Sequence, residues 1–209
     1  MTFFQSSKYF SFNKFTYVNL RWIGIIGQLV TVNSVYFIFN FDFEFVRSNL
    51  IILFGILSNL YLIYNYKKTQ LTEEVALTFL LFDIIQLGSL IYLTGGITNP
   101  FILFIIIPSV FSSSYLSLKT NLLLMCITVL AIIFLTFYFK NLPSPISDHF
   151  HVSKYYFYAI PTALIIALIF LNYFAIIFGT ESRLRKEALD KIPSVPVNLS
   201  EIHWKLEYC

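Results

Sequence analysis

Apolar residues in this chain come in long runs broken by brief polar connections, without short-period alternation. Six runs fall at about 22–39, 50–64, 75–93, 101–118, 122–139 and 157–178. A helix needs roughly 20 apolar residues to cross the hydrocarbon of a bilayer, and backbone surrounded by lipid must satisfy its own hydrogen bonds. The pattern therefore predicts an all-α membrane protein, six transmembrane helices in an antiparallel bundle, the second run being the shortest. The ten-residue alternating segments of a membrane β-barrel do not occur in the sequence.

Composition strengthens this reading. Of 209 residues, 57% are hydrophobic and 12% charged, against about 25% charged in ordinary soluble domains. Aromatic residues reach 19%, mostly Phe and Tyr, which suits rings at headgroup level. A net charge of +3 is too small to point to nucleic acid, and its distribution carries more information. Lys8, Lys14, Arg21, Lys67, Lys68, Lys119, Arg183, Arg185, Lys186, Lys191 and Lys205 fall on one side of the predicted bundle, and Arg47, Lys140 and Lys154 on the other. Positively charged loops stay in the cytoplasm, so both termini are expected there. No small-residue cleavage site follows the first twenty residues, and no removable signal peptide is expected. Cys126 and Cys209 are too differently placed to predict a disulfide, and they form no metal-ligand spacing. His149 and His151, in the one sizeable outer loop, have no third ligand nearby and read as solvated.

One connection stands out. "LTGGITNPFILF", residues 93–104, joins the third and fourth runs without a single charge. Its local chemistry is that of a capped turn: Gly95 and Gly96 can take the left-handed conformation that ends a helix, Asn99 is a good N-cap, and Pro100 suits the first helical position. The turn also lacks any charged residue to draw it into water. Exposed backbone N–H groups, an asparagine amide and the Phe101 ring form a set that suits a planar hydrophobic molecule with carbonyls at opposite ends, the shape of a quinone.

The heptapeptide Gly95-Gly96-Ile97-Thr98-Asn99-Pro100-Phe101 resembles the GGxxNPF signature of the RegB/PrrB/ActS family of redox-responsive sensor histidine kinases. "LRWIGIIGQLVT" (20–31) and "FDIIQLGSLIYLTGG" (82–96) are similar to the family as well, and the likeness extends over roughly residues 15 to 190. The resemblance implies a membrane sensor that binds ubiquinone, reads the redox state of the quinone pool and controls a cytoplasmic autokinase. It implies Gly95, Gly96, Asn99, Pro100 and Phe101 as quinone contacts, and a homodimer as the working form.

Polar residues inside the runs are the next candidates. A charged Asp at a helix centre costs on the order of 2.5–3.5 kcal/mol to insert, so Asp83 must be neutral or partnered. Gln86 shares its face. Counting at ~1.5 Å per residue from the inner edge places Gln28 and Asp83 within roughly 3 Å in depth. The expected ladder pairs Gln28 with Asp83 and Thr31 with Gln86. Interhelical bonding at ~0.6 kcal/mol each and a relay of quinone state both remain open for these four residues. Ser58, Asn59 and Asn172 read as packing or hydrogen-bonding positions.

The expected organisation is a cytoplasmic arm (1–21), a six-helix sensor domain (22–179), a signalling-helix stub (180–191) and a divergent tail (192–209). That tail has neither a phosphoacceptor box around His203 nor the glycine-rich boxes of an ATP-binding domain. The chain therefore reads as a truncated or freestanding sensor half, not catalytic by itself, that reaches a response regulator only through a kinase domain absent from it. A small membrane carrier or scaffold without a signalling role is the alternative.

Overall fold

The computed structural model describes residues 12–140 and 154–190. The His149–His151 pair, His203, Cys209 and the tail from 191 onward lie outside these residues. The described chain is helical: α1 (Lys14–Phe37), α2 (Phe45–Asn65), α3 (Glu73–Leu93), α4 (Ile107–Tyr115), α5 (Leu118–Phe137) and α6 (Lys154–Asp190). Two short strands, β1 (Phe12–Asn13) and β2 (Gln70–Leu71), pair antiparallel with Phe12 opposite Leu71.

The six expected helices are present in order, with two differences of kind. Four segments are long and apolar enough to cross a membrane: α2, α3, α5 and Phe157–Ser182 of α6. α1 has the length, but Arg21, Gln28 and Asn33 dilute its apolar run. Moreover, it begins at Lys14, so the expected arm boundary at residue 21 falls inside the helix, and Arg21 is buried.

The fourth expected helix is not a uniform α-helix. Pro100–Ile106 forms a 3₁₀ segment and only Ile107–Tyr115 is α-helical. The change falls one residue before Pro108, which cannot donate an i→i−4 bond and whose ring crowds the carbonyl four residues back. The tighter helix also lengthens the segment. Seven residues at about 2.0 Å and nine at about 1.5 Å span about 28 Å in all, close to the roughly 30 Å of hydrocarbon.

Side chains tie the helix ends together. At one end, Lys14 Nζ donates to the carbonyls of Ile63, at 2.9 Å, and Tyr66, which close α2. There too the Glu73 carboxylate accepts from Ser117 N, at 3.1 Å, and from the Ser117 and Thr120 hydroxyls at the start of α5. At the opposite end Lys140 N donates to Tyr92 O at 2.9 Å, and Glu44 pairs with Arg47 and Lys140. Successive helices therefore alternate in direction, as their short connections require.

α3 lies at the centre, with Ala76, Leu80, Ile84 and Ile91 buried among Leu62, Ile105, Leu124, Ile132 and Leu168 from its neighbours. The outward faces of α5 and α6 carry exposed Leu, Ile and Phe, as lipid-facing surfaces do. α6 has 37 residues, or about 55 Å of helix, and runs well beyond the width of the hydrocarbon.

Candidate functional site

The uncharged turn folds as its sequence suggests. Gly95 and Gly96 take positive φ, 108° and 55°, and turn the chain out of α3. A Cβ on Gly96 would lie 2.2 Å from the Cβ of Phe139, so this position is closed to any side chain. Asn99 Oδ1 accepts from Phe101 N at 2.8 Å, with Pro100 at the first helical position. Its amide nitrogen donates to Thr94 O at 2.9 Å and to Thr94 Oγ1 at 2.7 Å. Thr94 and Thr98 hydroxyls in turn donate to Leu90 O and Gly95 O. The side-chain donors of the turn are therefore spent on the turn itself.

Beside it lies a cavity of about 890 Å³. One wall is α1, through Leu20, Gly24, Gly27, Gln28 and Thr31. Asp83, Gln86, Leu87 and Leu90 of α3 form its floor. Thr98, Asn99, Pro100, Phe101, Phe104 and Ile107 form the facing wall. Phe101 and Phe104 stack with ring centroids 5.9 Å apart, and both are partly exposed, at 38% and 46%. Gly95 and Gly96 are buried behind this wall and do not line the cavity. The fold thus gathers seven of the nine sequence-derived candidates, Gln28, Thr31, Asp83, Gln86, Asn99, Pro100 and Phe101, around one space.

The polar pairing across α1 and α3 differs from the expected ladder. Gln86 Nε2 donates to Gln28 Oε1 at 2.8 Å. Asp83 is held instead by Arg21, with Nε and Nη2 at 2.9 and 2.7 Å from Oδ1, and by the Tyr17 hydroxyl, which donates to Oδ2 at 2.6 Å. Thr31 makes no bond to Gln86. The partner of Gln28 lies one helical turn further along α3 than expected, because α1 starts at Lys14 whereas the expected depth counts from residue 22. Assigning Arg21 to a solvated arm hides the cation that Asp83 requires.

Arg21 links three helices. Its Nη2 donates to Ser58 Oγ at 3.0 Å and its Nη1 lies 3.4 Å from Asn59 Oδ1, while Asn59 Nδ2 donates to Val18 O at 3.3 Å. The guanidinium also lies 5.6 Å from the Tyr17 ring centre and 5.3 Å from that of Phe79. Desolvated charge is tolerated in such a place only when paired and fully hydrogen-bonded. A signal for Arg21 exists in the sequence: a carboxylate inside an apolar run demands a partner, and Arg21 is the cation nearest in depth on a neighbouring helix. Among the described residues no group of three or more His, Cys, Asp or Glu is placed to hold a metal ion.

Known proteins resemble this chain at the level of sequence. A family model described as the PilS-like transmembrane domain matches residues 32–189. The chain belongs to that family. This PilS-like domain is also 29% identical, over 177 residues, to the sensor histidine kinase RegB of Cereibacter sphaeroides. The similarity covers 83% of this chain and 38% of RegB, so the chain spans well under half the length of that relative. No solved structure matches it. The PilS-like domain described here is accordingly a membrane sensor domain of the RegB type, a multi-pass protein of the bacterial inner membrane. Tyr17, Arg21, Gln28 and Thr31 precede the segment matched by the family model, whereas the uncharged turn lies within it.

Proposed function

We propose that this chain is the quinone-binding, redox-sensing input domain of a two-component sensor histidine kinase, with ubiquinone from the membrane as the sensed ligand. The observation that carries this reading is the shared cavity. The Asn99-Pro100-Phe101 wall and the polar pairs of α1 and α3 face one space of about 890 Å³. Small-molecule sites are typically about 300–1,000 Å³, mostly apolar, with a few convergent polar groups. Partly exposed Phe101, Phe104 and Ile107 give it an apolar rim that a lipid-dissolved ligand can cross.

In this reading Gly95, Gly96 and Asn99 shape the wall, while Pro100 and Phe101 meet the ligand. Asp83 and Gln86 sit where occupancy of the cavity can alter the packing of α1 on α3, which makes the Tyr17–Asp83–Arg21 and Gln28–Gln86 bonds the first elements of a relay. All six helices cross the membrane, with both ends cytoplasmic. Ten Lys and Arg residues still favour the cytoplasmic side over three on the other, once buried Arg21 is left out of the eleven. α6, about 55 Å long, then carries the signal from the bilayer toward a dimerisation and kinase region and, through it, a response regulator. A homodimer is the working unit.

The test is a titration of the purified chain in detergent with a short-chain ubiquinone analogue, followed by thermal unfolding. A ligand that binds only the folded state raises its melting temperature in a saturable way. The expected result is a saturable rise in the wild type that is strongly reduced in Phe101→Ala. No rise at any concentration defeats the quinone reading.

A further inference from the structure

Resting on the quinone reading, we propose that the ligand's head group is bound by α1, lying flat on the Gly24–Gly27 surface with a ring carbonyl accepting a hydrogen bond from Gln28 Nε2. Three observations meet at this place.

The first is the supply of free polar groups. Every side-chain donor of the uncharged turn that borders the cavity is already committed: Asn99 to Thr94, Thr98 to Gly95, Thr94 to Leu90. Gln28 is different. Its Oε1 is fixed by Gln86 Nε2 at 2.8 Å, which leaves its Nε2 without a partner among the described residues and the amide plane held in place. The Thr31 hydroxyl, one turn further along the same face, is also uncommitted there. Gln28 is half-buried and lines the cavity, so its amide, pinned at the oxygen, has a donor free to take an acceptor there.

The second observation is space. A Cβ built on Gly24 or on Gly27 meets nothing within 4 Å. Neither glycine is required by close packing or by a positive φ, and each costs roughly 0.5–1 kcal/mol of helix stability relative to Ala. Together they leave a stretch of bare helix next to Gln28, where a planar ring can approach the backbone.

The third is the opposite wall. Phe101 and Phe104 present stacked rings across the same cavity. A flat, neutral molecule bearing carbonyls fits between a glycine surface and an aromatic surface, with Gln28 at its edge. A charged or bulky tetrahedral group does not. α1 thereby supplies the recognition, and the turn supplies the cover.

Ligand affinity decides the matter, measured on the full chain in detergent by thermal-shift titration with a short-chain ubiquinone analogue. Gln28→Met keeps the length of the side chain and removes the donor, together with the Oε1 that accepts from Gln86. Affinity is expected to fall about tenfold, the effect of one hydrogen bond lost at a shielded site. Gly27→Leu adds a side chain whose Cβ meets nothing within 4 Å, so the protein is expected to fold and saturable binding to be lost. If the wild type binds and either variant binds with unchanged affinity, the head group is not held on α1 and the proposal falls while the quinone reading stands. If the wild type itself fails to bind, both fall together. Should Gln28→Met not fold, Gly27→Leu alone separates these outcomes.

Discussion

Arg21 and Asp83 form an ion pair between α1 and α3, with Nη2 2.7 Å from Oδ1 and side-chain exposures of 5% and 21%. No other ion pair among the described residues is withdrawn so far from the surface. It ties the helix that forms one wall of the cavity to the helix that forms its floor. Its effect on stability is asymmetric, because removing one partner strands the other.

Asp83→Ala is therefore expected to cost about 3–5 kcal/mol, the penalty of leaving a buried charge unpaired. Replacing both partners, in the double variant Arg21→Met with Asp83→Leu, should cost distinctly less. Thermal unfolding of the three proteins in one detergent checks this. Equal losses in the single and double variants would show that the pair acts through packing alone.

Gly96 presents a second, sharper case. Its φ of 55° and the 2.2 Å approach to the Cβ of Phe139 both exclude a side chain. Gly96→Ala is expected to destabilise by at least about 1–3 kcal/mol from backbone strain alone. Phe139→Ala should not rescue it, since it removes the ring atoms at 2.4 and 2.9 Å but keeps the Cβ, the closest clashing atom at 2.2 Å. A melting temperature restored in the double variant would contradict the geometry.

Asn99 separates capping from cross-turn bonding. Asn99→Asp keeps the acceptor for Phe101 N and loses both donors to Thr94, whereas Asn99→Ala loses all three bonds. The alanine variant should lose about 0.5–2 kcal/mol from the cap plus the bonds to Thr94, with the aspartate intermediate. Any loss of ligand binding, read by the same thermal-shift titration, is expected to follow this order of stability, as it should for a residue whose bonds hold the wall in place.

Glu73 closes the opposite end of the bundle. Its carboxylate accepts from Ser117 N and from two hydroxyls at the start of α5, so it serves that helix as an N-terminal anion from a neighbouring element. Glu73→Ala is expected to lower stability by about 0.5–2 kcal/mol and to leave ligand affinity unchanged, since Glu73 does not line the cavity. Parallel titrations of wild type and variant read both quantities.

Much of this protein is legible in its sequence, because length and hydropathy are local properties. Uninterrupted apolar runs of this length read as membrane helices, and the glycines, asparagine and proline of residues 95–100 name their own conformations: Gly95 and Gly96 are left-handed, and Asn99 caps Pro100. The sequence also marks the polar residues that have to matter. What it leaves open is which of them meet. Counting depth from residue 22 matches Gln28 to Asp83, yet α1 begins at Lys14 and the true partner is Gln86, one turn along. Register between two helices depends on where each starts and how their surfaces interlock, and neither is written in one helix alone. The same holds for Arg21, which reads as a boundary residue until Asp83, 62 positions away, draws it inward. The tertiary structure likewise decides that the turn spends its own donors and that the unspent ones sit across the cavity on α1, because only packing determines which polar groups find partners and which are left facing open space.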